Sequence, residues 1–240
     1  MRLTIFLKNN NDNNCMPISY RISMLHLLKD IFSKSGVYDK YFHDKMVKPY
    51  TYSIYFNNMK IMEEYIYFDK YFILNFSSNS NILIDHIWDN LNTGMKFTIG
   101  DNEYIIDLIK RTNPKIRKNK MVADISILTN PFVTAKDSNY FITPNNNLKL
   151  FNEILNYQLK KKFKYLYNNT KVGSVYLTPI SMTDVIVKHY GILKGFKGSF
   201  KINGDKTLIK FIFDNGLGVR TGQGFGYILK WNLSMWLCYK

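Results

Sequence analysis

The sequence is poor in cysteine, and the two cysteines that it has lie far apart. Cys15 is near the start of the 240-residue chain and Cys238 is near its end. Two thiols without metal-ligand spacing support neither a disulfide framework nor a zinc site built from paired cysteines. We therefore expect two reduced thiols.

Long apolar runs are also missing. No apolar stretch reaches the ~18 residues that a membrane-spanning helix needs. The opening segment, residues 1–7, lacks the cleavage region of a signal peptide. These absences predict a soluble, cytoplasmic protein that has no membrane partner.

Acidic residues are scarce relative to basic ones. The chain has 33 Lys and Arg against 18 Asp and Glu, a formal net charge of +15 and a pI of about 9.6. Such an excess attracts a polyanion, and nucleic acid is the natural candidate. An anionic membrane surface is attracted by the same charge. Hydrophobic residues make up 46% of the chain, which is enough for a sizeable core and argues against disorder.

The first half of the chain shows alternating strand and helix patterns. Apolar residues recur at helical spacing over residues 19–34 and again over 82–91. Strand patterns occupy residues 3–7, 50–56 and 65–76, and a hairpin joins 97–99 to 104–109. This order, strand–helix–strand–strand–helix–strand, is the ferredoxin-like arrangement.

The second half offers another sheet with at least one helix. The patterns predict a long helix over residues 148–167 and strands at 122–128, 185–190, 194–202 and 207–213. The basic segment 110–120 is interpreted as a linker between the halves or as a basic loop. We therefore predict an α+β protein of two tandem ferredoxin-like (RRM-like) domains that form a cleft, with residues 1–115 in the first domain and 116–240 in the second.

Glycine is concentrated in one short run near the C-terminus. Five of the 13 glycines fall within residues 216–226, around Arg220. Glycine-rich loops allow positive φ and close backbone approach, and their amides can line an anion site. The run lacks Gly-Lys-Ser/Thr and is predicted to lie between two strands, so it matches neither a nucleoside triphosphate loop nor a dinucleotide fingerprint. Its alternative interpretation is a tight turn with bulges.

Histidine is limited to four residues. His26 and His86 lie within predicted helices, where a structural histidine is the plainer interpretation. His43 differs because it lies in a predicted loop with Lys45 and Lys48 close by. An imidazole can move a proton near neutral pH, and an ammonium can stabilise charge that grows on a phosphorane. The alternative for His43 is an ordinary surface histidine beside lysines.

These motifs together resemble a known family. A C-terminal Gly-x-Gly-x5-Gly-Phe-Gly loop that closes paired ferredoxin-like folds is similar to that of the repeat-associated RNA-binding (RAMP) superfamily. The N-terminal half resembles, more narrowly, the CRISPR-associated endoribonucleases that cut precursor CRISPR RNA within its repeats, the Cas-six family. The motifs that carry this resemblance are Ile18–Arg21, His43 followed by Lys48–Ser53, and Gly195–Phe200.

The resemblance implies a mechanism without a metal or other cofactor. A 2′-hydroxyl attacks the scissile phosphate and leaves a 2′,3′-cyclic phosphate and a 5′-hydroxyl. Carried over by motif, His43 is the general acid or base and Lys48 the electrostatic stabiliser. Many members add a tyrosine on the first helix, where this chain has Leu25–Leu28. The third catalytic position is therefore open among His26, Tyr38 and Tyr41, with His26 as the secondary candidate.

The resemblance also implies the partners. CRISPR repeat RNA is the expected substrate, subunits of a CRISPR effector complex are further candidates, and a homodimer is left open. The residues expected to contact RNA are the glycine loop and nearby cations: Arg21, Lys45, Lys194, Lys197, Gly216, Gly218, Arg220, Gly222, Gly224 and Gly226. The rival interpretations are a non-catalytic RNA-binding RAMP subunit of an effector complex and a general single-strand RNA binder.

Overall fold

The computed structural model describes residues 1–9, 14–43, 47–100, 102–116, 119–168 and 171–230. These residues form two compact units. The first unit contains Met1–Pro114 together with two short segments from the second half of the chain, Lys188–Ile192 and Thr221–Gly224. The second unit contains Lys115–Val187, Leu193–Arg220 and the chain from Phe225 onward. The sequence predicts a division near residue 115 but gives no sign of these two segments.

The first unit contains a five-stranded antiparallel sheet and two helices. Its elements are β1 (Arg2–Asn9), β2 (Cys15–Pro17), α1 (Arg21–Lys34), β3 (Tyr50–Phe56), β4 (Lys60–Met62), β5 (Tyr65–Tyr67), β6 (Tyr71–Ser78), α2 (Asn81–Asn90), β7 (Lys96–Ile99) and β8 (Asn102–Thr112). The sheet order is β3-β6-β1-β8-β7, and β2, β5 and β4 form a separate small sheet. The predicted ferredoxin-like order is confirmed, with β7 as an added edge strand.

Sequence periodicity explains how these elements pack. Alternate residues of β1 (Leu3, Ile5 and Leu7) are buried, as expected for a strand with one face on the core. Along α1 the buried apolar residues recur at helical spacing: Met24, Leu27, Leu28, Ile31 and Phe32. The helix therefore covers the sheet with this face and leaves the opposite face to solvent.

The second unit repeats the arrangement. Its elements are β9 (Lys120–Ser126), α3 (Leu148–Tyr167), β10 (Val175–Lys188), β11 (Ile192–Gly204), α4 (Lys206–Asn215) and β12 (Ile228–Lys230). The sheet order β10-β11-β9-β12 places the four strands as in the first unit. The predicted bounds of α3 agree with the structure, and its core side chains include Phe151, Leu155 and Phe163.

The predicted strand at residues 207–213 is wrong, because these residues belong to helix α4. The β-branched and aromatic residues of this stretch favour a strand in isolation. However, the Asp205 side chain accepts hydrogen bonds from the backbone amides of Thr207 (2.7 Å) and Leu208 (3.1 Å), which begins a helix. Leu208, Phe211 and Ile212 are then buried on one helical face. The glycine run therefore follows a helix and not a strand.

Other boundaries also differ from the prediction. β10 begins at Val175, ten residues before the predicted strand, and ends at Lys188, so His189 lies in the turn after it. β8 continues to Thr112, so the start of the predicted linker 110–120 is a strand, while residues 117–118 lie outside the described residues. The polar stretch that follows β1, residues 10–13, also lies outside them. In the described ranges no helix is long and apolar enough to cross a membrane.

Candidate functional site

A π-helical turn, Asp39–His43, follows α1 and carries the predicted catalytic histidine at its last position. Phe42 anchors the turn, since its ring lies 6.0 Å from that of Phe32 on α1 and 5.3 Å from the ring of Tyr38. Aromatic pairs at these separations stabilise packing. The backbone position of His43 is thus defined by the turn, while its side chain lies outside the described atoms.

Lys48 is tied to this turn. Its Nζ donates a 2.8 Å hydrogen bond to the backbone oxygen of Phe42 and lies 6.0 Å from the Phe42 ring centre. The Phe42 carbonyl belongs to the peptide bond that joins Phe42 to His43. The ammonium of Lys48 is therefore fixed beside the backbone of His43, although the two residues are five positions apart in sequence.

Strand β3, which begins two residues after Lys48, contributes two buried aromatic side chains next to the site. Tyr50 and Tyr52 are almost fully buried in the first unit, and burial raises the pKa of both phenols above the ordinary value. Both tyrosines are therefore neutral at physiological pH and unsuited to act as bases. Their aromatic rings serve as a packing surface.

The segment Thr221–Gly224 of the glycine run packs against Lys48 and these two tyrosines. A Cβ at Gly222 would lie 2.6 Å from Cγ of Lys48, and a Cβ at Gly224 would lie 2.8 Å from the ring of Tyr52. Neither distance allows a side chain, and Gly224 also has a φ of +83°. These two glycines are required because the loop backbone lies directly against Lys48 and β3.

Arg21 holds the same segment from the helix side. Its guanidinium Nε donates a 3.1 Å hydrogen bond to the backbone oxygen of Gly224 and lies over the ring of Tyr20 at 4.8 Å. Arg21 is buried on α1, where only 6% of the residue is accessible to solvent. Its described contacts are with the protein itself, and its predicted contact with RNA stays a prediction.

His189 is a residue at this site for which sequence reasoning found no role. It is buried, and its Nε2 lies 3.2 Å from Oε1 of Gln223 in the glycine run. The turn residues Tyr190 and Gly191 both have positive φ, 47° and 120°. The only sequence signal was a histidine directly before a glycine-containing turn.

The rest of the glycine run belongs to the second unit, where it packs by close backbone contact. A Cβ at Gly218 would lie 2.1 Å from the backbone oxygen of Ile127, and one at Gly226 would lie 2.1 Å from that of Leu217. Five amides of the run already donate to backbone oxygens: those of Gly216, Leu217, Val219, Gly224 and Gly226. These five amides are not available to line an anion site, contrary to the simplest interpretation of the loop.

A comparison with protein families identifies the family of this chain. The family model described as "CRISPR associated protein Cas6, C-terminal" matches residues 110–229, which is half of the chain. The chain belongs to the Cas6 family. This is the Cas-six family that the motifs resemble, and its members are known as endoribonucleases that process CRISPR RNA.

Similar proteins agree with this assignment. A Cas6 "CRISPR-associated endoribonuclease-like protein" of Pyrococcus furiosus is 25% identical over 95% of this chain and 98% of its own length. A solved structure described as "CRISPR associated protein Cas6" has a TM-score of 0.80 at 22% identity and covers 97% of this chain and 99% of that one. Another, described as "An RAMP protein binding different RNA substrates", has a TM-score of 0.75 at 20% identity and covers 95% and 98%. The predicted α+β, RAMP-type fold is confirmed.

The other candidates for the third catalytic position in this Cas6 chain differ in setting. His26 is exposed on α1, on the side away from the helix core, and His86 is likewise exposed on α2. The Tyr41 hydroxyl lies 3.3 Å from Oγ of Ser80. Tyr38 is half-buried and stacks on Phe42 at the base of the turn.

The remaining predicted RNA contacts are mostly at the surface. Lys194 and Lys197 are exposed on β11, and Arg220 is exposed in the glycine run with a φ of 58°. Lys45 lies outside the described residues. Within the part of the chain that the structure describes, no cluster of three His, Cys, Asp or Glu side chains is placed to hold a metal ion.

Proposed function

We propose that this Cas6 protein is an endoribonuclease that cleaves CRISPR repeat RNA within precursor CRISPR RNA by attack of an internal 2′-hydroxyl. The observation that supports it most directly is the hydrogen bond from Lys48 to the Phe42 carbonyl. It fixes a cation beside the backbone of His43. The ammonium of Lys48 is thus close to the backbone of the residue that is proposed to supply the imidazole.

The chemistry needs only groups that the chain and the RNA provide. The 2′-oxygen forms a bond to phosphorus, the bond from phosphorus to the 5′-oxygen breaks, and a proton moves from the 2′-hydroxyl to the leaving 5′-oxygen. His43 is the proposed general acid or base, because imidazole exchanges protons near neutral pH. Lys48 is the proposed stabiliser of the charge that develops on the phosphorane oxygens. The products are a 2′,3′-cyclic phosphate and a 5′-hydroxyl, and no metal takes part.

The third catalytic group is proposed to be either His26 or Tyr38. Tyr38 contacts the turn that carries His43, since its ring stacks on Phe42. His26 is exposed to solvent and is free of the helix core. Tyr41 is the weaker candidate because its hydroxyl already contacts Ser80.

The proposed RNA contacts are the exposed cations Lys194, Lys197 and Arg220, together with Lys45. The glycine run is proposed to act mainly as a support: its Gly222 packs against Lys48, and the run itself carries Arg220. Subunits of an effector complex and a second copy of the chain are proposed partners without a described contact surface.

The test is cleavage of repeat RNA in the presence of EDTA. The intact protein is expected to cut at one fixed position and to leave a cyclic phosphate. His43→Ala is expected to abolish cleavage and to keep RNA affinity, whereas the matched control His86→Ala, an exposed histidine on α2, keeps both. Robust cutting by His43→Ala would remove His43 from the mechanism, and a strict requirement for a divalent metal would contradict the whole proposal.

The same assay tests the alternative function. One neighbour of similar fold is described as a RAMP protein that binds different RNA substrates. Specific binding of repeat RNA by the wild-type protein without any cut would indicate a non-catalytic RNA-binding subunit. Binding with little preference for the repeat would indicate a general single-strand RNA binder.

A further inference from the structure

Helix α3 of the second unit has a basic and aromatic face that the proposed cleavage site does not use. Tyr157, Lys161, Lys164 and Tyr165 are all exposed. Their spacing of three and four residues places them on one side of the helix, over about 12 Å of its length. The opposite side carries the core residues Phe151, Leu155 and Phe163. We call the exposed set, together with Phe132, the α3 surface.

The charge of this helix is strongly one-sided. α3 contains five lysines and one glutamate. Two of the lysines are engaged within the unit: Lys160 donates to Oγ of Ser174 at 3.0 Å, and Lys162 donates to the backbone oxygen of Asn215 at 3.1 Å. Burial lowers the pKa of Lys162 to about 7. Lys161 and Lys164 have no such partner among the described residues, so their charges face solvent.

The aromatic rings on this face are unusually exposed. Tyr157 is 42% accessible, Tyr165 58% and Phe132 66%. Phe132 and Tyr157 lie against each other, with ring centres 4.8 Å apart, so they form an exposed aromatic pair beside the two free ammonium groups. Such rings are usually found where an apolar or flat partner covers them.

Alternating rings and cations match the chemistry of single-stranded RNA. Unpaired bases stack on aromatic side chains, and lysines contact the phosphates between them. Duplex RNA fits less well, because its bases are stacked on one another and are not free to stack on Tyr157 or Phe132.

We propose that the α3 surface binds single-stranded RNA that flanks the cleaved repeat. This proposal rests on the proposed function for its biological substrate, because a precursor continues on both sides of each repeat. The physical claim, a stacking and phosphate site for unpaired RNA, stands on the geometry of α3.

The probe is a labelled oligouridine of about 20 nucleotides, which offers only unpaired bases. Three variants of the full chain are compared: Lys161→Glu with Lys164→Glu, Tyr157→Ala, and a charge-matched control, Lys201→Glu with Lys206→Glu. The control lysines are exposed in the second unit but lie on β11 and α4. Circular dichroism of each variant checks that the fold is retained.

The salt dependence of binding is measured as the slope of log K against log [salt]. The double variant at Lys161 and Lys164 is expected to make this slope shallower by about 1.4, since each phosphate contact contributes about 0.7 for single strands. Tyr157→Ala is expected to weaken binding at least about fivefold, the lower end for loss of one stacked base. Irradiation of 4-thiouridine RNA is expected to give crosslinks that map to Tyr157 or Tyr165. A charge effect alone would not produce such crosslinks.

The proposal is overturned if the Lys161 and Lys164 variant binds oligouridine as the control variant does. It is also overturned if the wild-type protein prefers vesicles that contain phosphatidylserine and RNA does not compete. Failure of the proposed function is seen separately: wild type would leave repeat RNA uncut while these oligouridine differences persist. Conversely, the Lys161 and Lys164 variant is compared with wild type on an isolated repeat. Unchanged cleavage together with loss of oligouridine binding supports both the cleavage function and the α3 site.

Discussion

Gly222 and Lys48 show how one side chain depends on the absence of another. A Cβ on Gly222 would lie only 2.6 Å from Cγ and 2.9 Å from Cβ of Lys48. Those atoms are the fixed base of the side chain and not its flexible end. The glycine therefore leaves the space in which Lys48 reaches the Phe42 carbonyl.

Gly222→Ala is expected to slow cleavage by about 10²-fold while repeat RNA affinity changes little, because displacement of a catalytic group by about 1 Å costs this much. Single-turnover cleavage and equilibrium binding measure the two effects separately. Gly94→Ala is the control, since nothing lies within 4 Å of a Cβ there and only its backbone strain, φ +86°, is added. Wild-type cleavage by Gly222→Ala would show that Lys48 is not positioned by the loop.

At the scale of elements, α4 depends on one capping residue. The Asp205 carboxylate accepts bonds from the amides of Thr207 and Leu208, and its other oxygen accepts a 2.6 Å bond from the amide of Gly173. These bonds, that from Gly173 first, lower the pKa of Asp205. The residue thus starts the helix that leads into the glycine run and also fixes the chain before β10.

Asp205→Ala is expected to lower the free energy of unfolding by about 0.5–2 kcal/mol, the usual cost of a lost N-cap. The pKa of Asp205 is lower in the folded state, so its stabilisation is present above the ordinary pKa of 3.8 and is lost as the pH falls through the folded value. Urea unfolding of wild type and variant should therefore differ most at neutral pH and converge in acid. An equal difference at both pH values would contradict the assignment, and Asp205→Asn should retain most of the cap at neutral pH.

Local patterns identified most elements but failed at α4. The bounds of β3 and α3 agree with their sequence patterns, because each pattern is regular over the whole element. The stretch 207–213 is rich in β-branched and aromatic residues, yet its buried residues Leu208, Phe211 and Ile212 recur at helical spacing. Tertiary burial overrides weak local propensity at such positions.

At the scale of the whole molecule, the first unit is built from three separate pieces of the chain. His189 and the segment Thr221–Gly224 belong to it. The chain on both sides of these pieces belongs to strands and loops of the second unit. Loss of the second unit's structure would therefore release part of the first unit's packing.

Phe196→Ala is expected to destabilise the protein, and both of its units are expected to unfold together in one transition. Phe196 is fully buried in the second unit, 5.2 Å from the ring of Phe151, and its truncation should cost about 3–5 kcal/mol. Hydrogen exchange should then increase in peptides from β1 of the first unit as well as from β11. The milder Phe196→Leu should show a smaller effect of the same kind. Wild-type protection of β1 in Phe196→Ala would indicate two independently stable units.

The sequence alone determined the charge, the two ferredoxin-like patterns and the family motifs, because these depend on composition and on residues close together in the chain. It also indicated His43 and Lys48 as a candidate pair. The tertiary structure decided that Lys48 contacts the Phe42 carbonyl, that Arg21 bonds to Gly224, and which glycine amides are already used. Contacts between residues so far apart depend on how the elements pack, and no local pattern contains that information.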